Sequence, residues 1–307
     1  MAGATGAIGR PLVPKLIEAG HEVVGMTRSE ERAEQLRSRG AEAVVADALD
    51  GEAVRAAVAG ARPNVLVHQL TDLPQEFSPR YSYGNTGPLR SDATRHLIAG
   101  AREGGAGRVV AQSIGFMYMP TGDSVKDEEA PTLTGEVAGG RFADTLDATL
   151  DMERQVTGAA GMDGLVLRYG LFYGPGTWYA KGTGMAKQFK RRMFPIIGDG
   201  GGVFSYIHVD DAADATVAAV ERGEPGIYNV VDDDPAPARE WMPAFAQAVG
   251  AKAPRRVPVW LARILAGKNN TTMATIMRGA SNAKAKRELG WQPRYSSWRQ
   301  GFLQGLE

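Results

Sequence analysis

Three glycines at Gly3, Gly6 and Gly9 stand almost at the first residue, and the run Gly3-Ala4-Thr5-Gly6-Ala7-Ile8-Gly9-Arg10 constrains the fold more than any other stretch. Glycine permits a tight turn at the first position and close approach of backbone to a pyrophosphate at the second. At the third it allows a helix to pack close to its strand. The apolar residues 11–19 follow at once, so the turn opens into a helix whose N-terminal N–H groups and dipole favour an anion. Thr5, Ala7, Ile8 and Arg10 are therefore expected to cradle a dinucleotide together with the three glycines. Such a turn normally follows an apolar strand of about five or six residues, yet only Met1 and Ala2 precede Gly3. That strand belongs in the middle of a 3-2-1-4-5-6 sheet, and its loss would leave two neighbours without partners. The expectation is a truncated first strand, with the natural product starting upstream.

The rest of the composition narrows the function classes. Lys plus Arg number 35 and Asp plus Glu number 35, so no net field draws the chain to nucleic acid or lipid. No run of about 18 apolar residues exists and no charged-then-apolar leader is visible, so no membrane partner is expected and cytoplasm is the default. Without cysteine, disulfides, thiolate catalysis and Cys-based zinc sites are excluded. His21, His68, His96 and His208 are scattered without ligand spacing, and no metal is expected.

Taken in order, residues 22–26 form a short β-type run ending in Thr27-Arg28, and Ser29 caps a helix to about residue 39. Position 28 lies about twenty residues after the glycine turn, where NAD-binding folds place an acid against the ribose 2′-hydroxyl and NADP binders place arginine. Arg28 predicts NADP. A strand at 43–46 runs into Asp47-Ala48, and one at 65–68 ends in His68-Gln69-Leu70, whose carboxyl end faces cofactor in a parallel sheet. A helix at 89–102 and a strand at 108–113, ending in Ser113, continue the alternation. This order predicts an α/β fold with a doubly wound parallel sheet and right-handed crossovers. Residues 116–140 are loop-rich, 142–158 read as a long helix, and a strand at 165–168 runs into Tyr169-Gly170-Leu171 and a Gly/Pro turn. A strand at 204–209 precedes a helix at 212–221 capped by Asp210. Another strand lies at 227–231, and amphipathic helices fill the remainder.

The motifs together resemble the extended short-chain dehydrogenase/reductase family, of the NAD-dependent epimerase/dehydratase type, over nearly the whole chain. The glycine turn is similar to that family's Gly-x-x-Gly-x-x-Gly, and Asp47 matches its adenine-contacting Asp. Ser113 lies on the strand that carries its catalytic Ser or Thr. Residues 168–176 resemble its turn beside the nicotinamide, and Ile207-His208-Val209-Asp210-Asp211 and residues 282–291 resemble its carboxy-terminal signatures. The resemblance implies a Rossmann domain over 1–173 plus 206–234 and a smaller C-terminal substrate lobe over 174–205 plus 235–307. It also implies a possible homodimer through two long helices.

Two departures bear on function. The family's acid–base pair is Tyr-x-x-x-Lys, where the ammonium beside the phenol favours phenolate. No tyrosine of this chain is followed by lysine four residues later. Aligning the family's Glu on Glu153 puts Thr145 and Thr149 at the pair's positions, as in the family's atypical branch, where NADP is usual. The arginine with which nucleotide-sugar enzymes grip a diphosphate is replaced by Phe204-Ser205, which disfavours a nucleotide sugar. Met185, Phe189, Met193, Phe194 and Trp178 would suit a more apolar substrate or form a plain core stripe. The expectation is an NADP(H)-dependent reductase acting on a small non-nucleotide carbonyl metabolite, with Ser113, Tyr118 and His68 as candidate catalytic groups. The rival is a non-catalytic NADP-binding sensor similar to the NmrA-type regulators.

Overall fold

Residues 1–74 and 84–307 are described by the structure, a computed structural model. Short β-branched runs separated by helices leave parallel pairing as the available sheet arrangement. The observed sheet runs Glu42–Val45, Val24–Thr27, Val65–His68, Arg108–Ile114, Asp163–Tyr169, Gly226–Val230, and every pairing is parallel. Between the second and third of these, Ala2 bridges Met26 on one side and His68 on the other. Ala2 N–H donates to Val67 O at 2.8 Å, and its carbonyl accepts from Gln69 N–H at 2.9 Å. The Met1 carbonyl accepts from Met26 N–H at 2.8 Å, and the Met1 ammonium donates to Val24 O at 2.7 Å. Two residues thus join the halves of a doubly wound sheet.

Helices cover both faces. Gly9–Glu18 and Val209–Glu221 lie on one, around a core that includes Leu12, Val13, Leu165, Leu167 and Trp291. Gly51–Ala61, Thr86–Glu103 and Gly140–Thr157 lie on the other, around Val54, Leu97, Val109, Met152 and Val166. The last two helices pack along each other, and that contact carries Glu153 and Arg90 toward the sheet's carboxyl edge.

A second, aromatic core lies beyond the sheet. Tyr173, Phe189, Tyr206, Trp241, Phe245, Trp298 and Phe302 pack there with ring centroids typically 5–6 Å apart, the edge-to-face geometry that ring quadrupoles favour. Met185 and Phe189 are buried in this core, Phe194 packs against it, and Met193 is exposed. The strand expected at 204–209 is divided. Val203–Phe204 pairs antiparallel with Ala236–Pro237, and Tyr206–His208 pairs parallel with Leu171–Tyr173. The following helix begins at Val209 instead of residue 212, and its cap is His208, whose Nδ1 accepts from Asp210 N–H at 3.2 Å. Asp210 itself sits in the first turn, where its charge complements the dipole.

Candidate active site

A cleft of about 820 Å³ opens over the carboxyl ends of the strands, the position where ligands bind in open α/β sheets. The glycine turn forms its floor. Gly3 has φ +86°, and a Cβ there would stand 2.6 Å from Gln69 O. A Cβ on Gly9 would stand 2.3 Å from Gly3 O, so the third glycine lets the helix close on the turn and does not itself line the cleft. Thr5, Gly6, Ala7, Ile8 and Arg10 do line it. No side chain caps the Gly9–Glu18 helix and no acid lies in its first turn, which leaves its positive end to the cleft. This donor set fits a pyrophosphate.

At one end the cleft is edged by Arg28, Arg32 and Arg39 with Glu31 and Gln35. The neighbouring acids Glu30 and Glu34 pair with Arg37 instead, and the three cleft arginines take part in no ion pair among the described residues. Three guanidinium groups at the end of the second strand suit a phosphate monoester. Only Arg28 was legible from spacing; Arg32 comes to the same cleft from the helix that follows, and Arg39 from just beyond its end. Ala48 lines the cleft nearby. Asp47, expected beside adenine, is exposed and outside the cleft lining, and its Oδ1 accepts from Leu49 N–H at 3.1 Å. It serves the turn before the next helix.

The inner end is built by Gln69, Arg90, Gln112, Ser113, Tyr169, Gly170 and Leu171. Gln69 Nε2 donates to the Tyr169 hydroxyl at 3.4 Å, which shares a 2.7 Å bond with Thr216 Oγ1. Burial holds that phenol above its usual range. Ser113 Oγ donates to Glu153 Oε1 at 2.6 Å. Glu153 in turn receives Arg168 through two parallel bonds, Nε to Oε1 at 2.9 Å and Nη2 to Oε2 at 2.6 Å. Arg168 Nη1 donates to the Tyr118 hydroxyl at 3.1 Å, and Tyr118 donates to Asn229 Oδ1 at 2.6 Å. A buried chain therefore runs Ser113–Glu153–Arg168–Tyr118–Asn229 from the cleft into the sheet.

Two candidate acids are displaced from the cleft by this arrangement. Tyr118 is only 2% exposed, does not line the cleft, and commits its phenol to Asn229 and Arg168. Burial raises its pKa, so it holds its proton more firmly still. A Cβ on Gly115 would meet Arg168 O at 3.0 Å, and the loop expected to fold the phenol back is packed against the next strand. His68 is buried as well, with both ring nitrogens engaged. Thr94 Oγ1 already donates to Arg90 O at 2.5 Å, so at 3.0 Å it accepts from His68 Nε2–H, while Nδ1 accepts from Leu70 N–H at 3.3 Å. Burial and the nearby Arg90 charge lower the imidazole to about 4, and it stays neutral at pH 7. Of the three candidates, Ser113 alone lines the cleft.

Sequence reasoning missed Arg90. In the Thr86–Glu103 helix it is one polar residue among many, but it is 4% exposed and lines the cleft beside Ser113. Its Nη1 donates to Thr149 Oγ1 at 2.9 Å, and Thr149 donates on to Thr145 O at 2.6 Å. Trp178 also lines the cleft, with its indole N–H on Pro74 O at 2.8 Å. Phe204 packs on Trp241 with centroids 5.5 Å apart, and Ser205 Oγ accepts from Ala280 N–H at 2.8 Å. Both residues are structural.

The pattern of the NAD dependent epimerase/dehydratase family matches residues 1–230. A 3-diazoavenalumate denitrifying reductase from Streptomyces sp is 46% identical over 303 residues, covering 98% of each chain. A 2-alkyl-3-oxoalkanoate reductase of Stenotrophomonas maltophilia is 26% identical over 82% of this chain and 75% of its own. Among solved structures, the UDP-glucose 4-epimerase of Thermus thermophilus with NAD superposes at TM-score 0.72, with 23% identity, over 99% of this chain and 96% of its own. The Thermotoga maritima UDP-glucose 4-epimerase with UDP-glucose gives TM-score 0.75 and 21% identity, over 99% and 96%. These two share the fold, an α/β Rossmann sheet with helices on both faces. With the family pattern spanning the sheet and the glycine turn, the chain belongs to the NAD dependent epimerase/dehydratase family.

Proposed function

We propose that the protein is an NADPH-dependent reductase that replaces the diazo group of a small carboxylate with hydrogen, releasing dinitrogen. The observation that carries this reading is the inner end of the cleft, where Ser113 and Arg90 stand and, among the described residues, neither Tyr118 nor His68 is free to give a proton. A carbonyl takes up one proton with each hydride, and a positioned acid is worth about 10²- to 10⁴-fold. When bound, the nicotinamide supplies two electrons and one hydrogen as hydride. For a diazonium carbon the balance differs: a C–H bond forms, the C–N pair leaves with N₂, and no proton is consumed. A site lacking Tyr-x-x-x-Lys suits that chemistry, and the 46% relative bears the name of a denitrifying reductase.

The chain's own residues bind and orient. The glycine turn and helix end hold the pyrophosphate, and Arg28, Arg32 and Arg39 select the 2′-phosphate, which makes NADPH the preferred cofactor. Ser113 is held by Glu153 with its hydroxyl hydrogen committed at 2.6 Å, so it presents lone pairs to the cleft and positions instead of protonating. Trp178 and Phe116 wall the cleft with apolar surface.

The test is anaerobic incubation with NADPH and a panel of aryl diazonium carboxylates alongside matched aldehydes and ketones. Expected are equimolar NADPH oxidation, N₂ and the deaminated arene from the diazonium arm, with carbonyl turnover slower by about 10²-fold or more. Faster turnover of carbonyls than of diazonium substrates would overturn the assignment. No NADPH oxidation with either class would favour a binding role without catalysis.

A further inference from the structure

We infer that Arg90 is the substrate's carboxylate anchor, a guanidinium kept buried and incompletely bonded at the inner end of the cleft for an incoming anion. The inference rests on the reductase reading above for the identity of the guest, but its evidence is separate. Arg90 is 4% exposed and lines the cleft. Its Nη1 bonds Thr149, while its Nε is buried without a partner among the described residues. A buried guanidinium normally has a carboxylate of its own, because removing the ion from water is costly unless it is paired. The acid whose charge acts on it cannot serve. Glu153 already takes both of its parallel bonds from Arg168 and a third from Ser113. Arg168 and Glu153 cancel, His68 is neutral, and Arg90 takes part in no ion pair among the described residues. Desolvation accordingly lowers the Arg90 pKa to about 10 despite the pull of Glu153.

A second orphan stands at the same end. Gln69 is 4% exposed, lines the cleft, and leaves its Oε1 without a donor while Nε2 bonds Tyr169. An unfilled donor and an unfilled acceptor on two residues that line the same cleft describe a place for a polar guest. The unmatched charge says that the guest is an anion. A carboxylate fits: it neutralises the cluster, and a guanidinium edge favours planar oxygen pairs. Helix Thr86–Glu103 supplies this cation across its contact with helix Gly140–Thr157, which carries Thr145 and Thr149. It lands on Thr149, the alignment position of the family's lysine.

The test is calorimetric titration of the NADP⁺ complex with cinnamate and with cinnamamide, a planar pair that differs in charge. The wild-type protein is expected to bind cinnamate at least about tenfold more tightly, the range of one charge-assisted bond. Arg90→Gln should weaken cinnamate by about 10- to 100-fold, leave cinnamamide unchanged and leave NADPH affinity unchanged. With a turned-over carboxylate substrate the loss should appear in KM, with kcat little altered. Arg90→Lys should recover part of the affinity. Equal wild-type affinity for the two probes, no cinnamate binding at millimolar concentration, or equal losses of both probes in Arg90→Gln would each overturn the inference. The wild-type comparison decides even where the variant does not fold. Diazonium turnover without charge discrimination sinks the anchor and spares the reductase. Charge discrimination without turnover spares the anchor and sinks the reductase.

Discussion

Glu153→Gln is the sharpest probe of the buried chain that fixes Ser113. The substitution keeps the shape of the side chain and an oxygen for Ser113, but it removes the only charge paired with Arg168 among the described residues. The side chains of Arg168 and Glu153 are 4% and 5% exposed, so water cannot replace the lost partner. Breaking such a pair from one side costs about 3–5 kcal/mol, most of it the penalty of an uncompensated buried charge. Total stability is only about 5–15 kcal/mol, and roughly 2 °C of Tm per kcal/mol applies to chains of this size. Scanning calorimetry should therefore show Tm lower by about 6–10 °C. Arg168→Met added to Glu153→Gln should restore part of the loss, because the second change removes the stranded charge. The double-mutant cycle should give a coupling of at least about 1 kcal/mol. A Tm change under about 2 °C for the single variant, or strict additivity, would refute the claim that this pair holds the site together.

Tyr118→Phe leaves Asn229 Oδ1 and one Arg168 N–H unpaired, which should cost about 1–3 kcal/mol in urea unfolding. NADPH affinity and turnover per folded molecule should stay within about twofold, and a tenfold loss of kcat would return the phenol to the mechanism. NADPH should bind more tightly than NADH by about 10- to 100-fold per phosphate contact, and Arg28→Ala should remove at least one such factor while leaving NADH unchanged. Equal titration of both cofactors by the wild-type protein would contradict the role of the three arginines. His68 is lowered from 6.5 to about 4 in the fold, so the folded state binds fewer protons than the unfolded one between those values. Stability is unaffected above pH 6.5 and falls as pH drops toward 4, by up to roughly 3 kcal/mol. His68→Gln should flatten that part of the pH–stability curve, and an unchanged acid limb would rule the residue out as its source.

Much of the fold was written in local pattern. The glycine spacing, the strand–helix alternation and the Ser29 cap depend on neighbours within a few residues, and such signals survive without tertiary context. Arg28 was legible because the length of one βαβ unit fixes where the second strand ends. By contrast, the roles of Tyr118, His68 and Asp47 depended on burial and direction. Tyr118 follows Ser113 by five residues, but packing turns its phenol away from the cleft toward Asn229, 111 residues along the chain. Arg90 could not be found from sequence at all, because its meaning lies in what it lacks. Glu153, 63 residues on, is already taken by Arg168, and only helix packing brings these three side chains to one place. The sequence by itself determined the sheet, the cofactor-facing turn and the absence of the usual proton donor. Tertiary structure decided which hydroxyl faces the cleft and where a guanidinium stands buried with no ion pair among the described residues, since both follow from long-range packing and desolvation, which spacing does not encode.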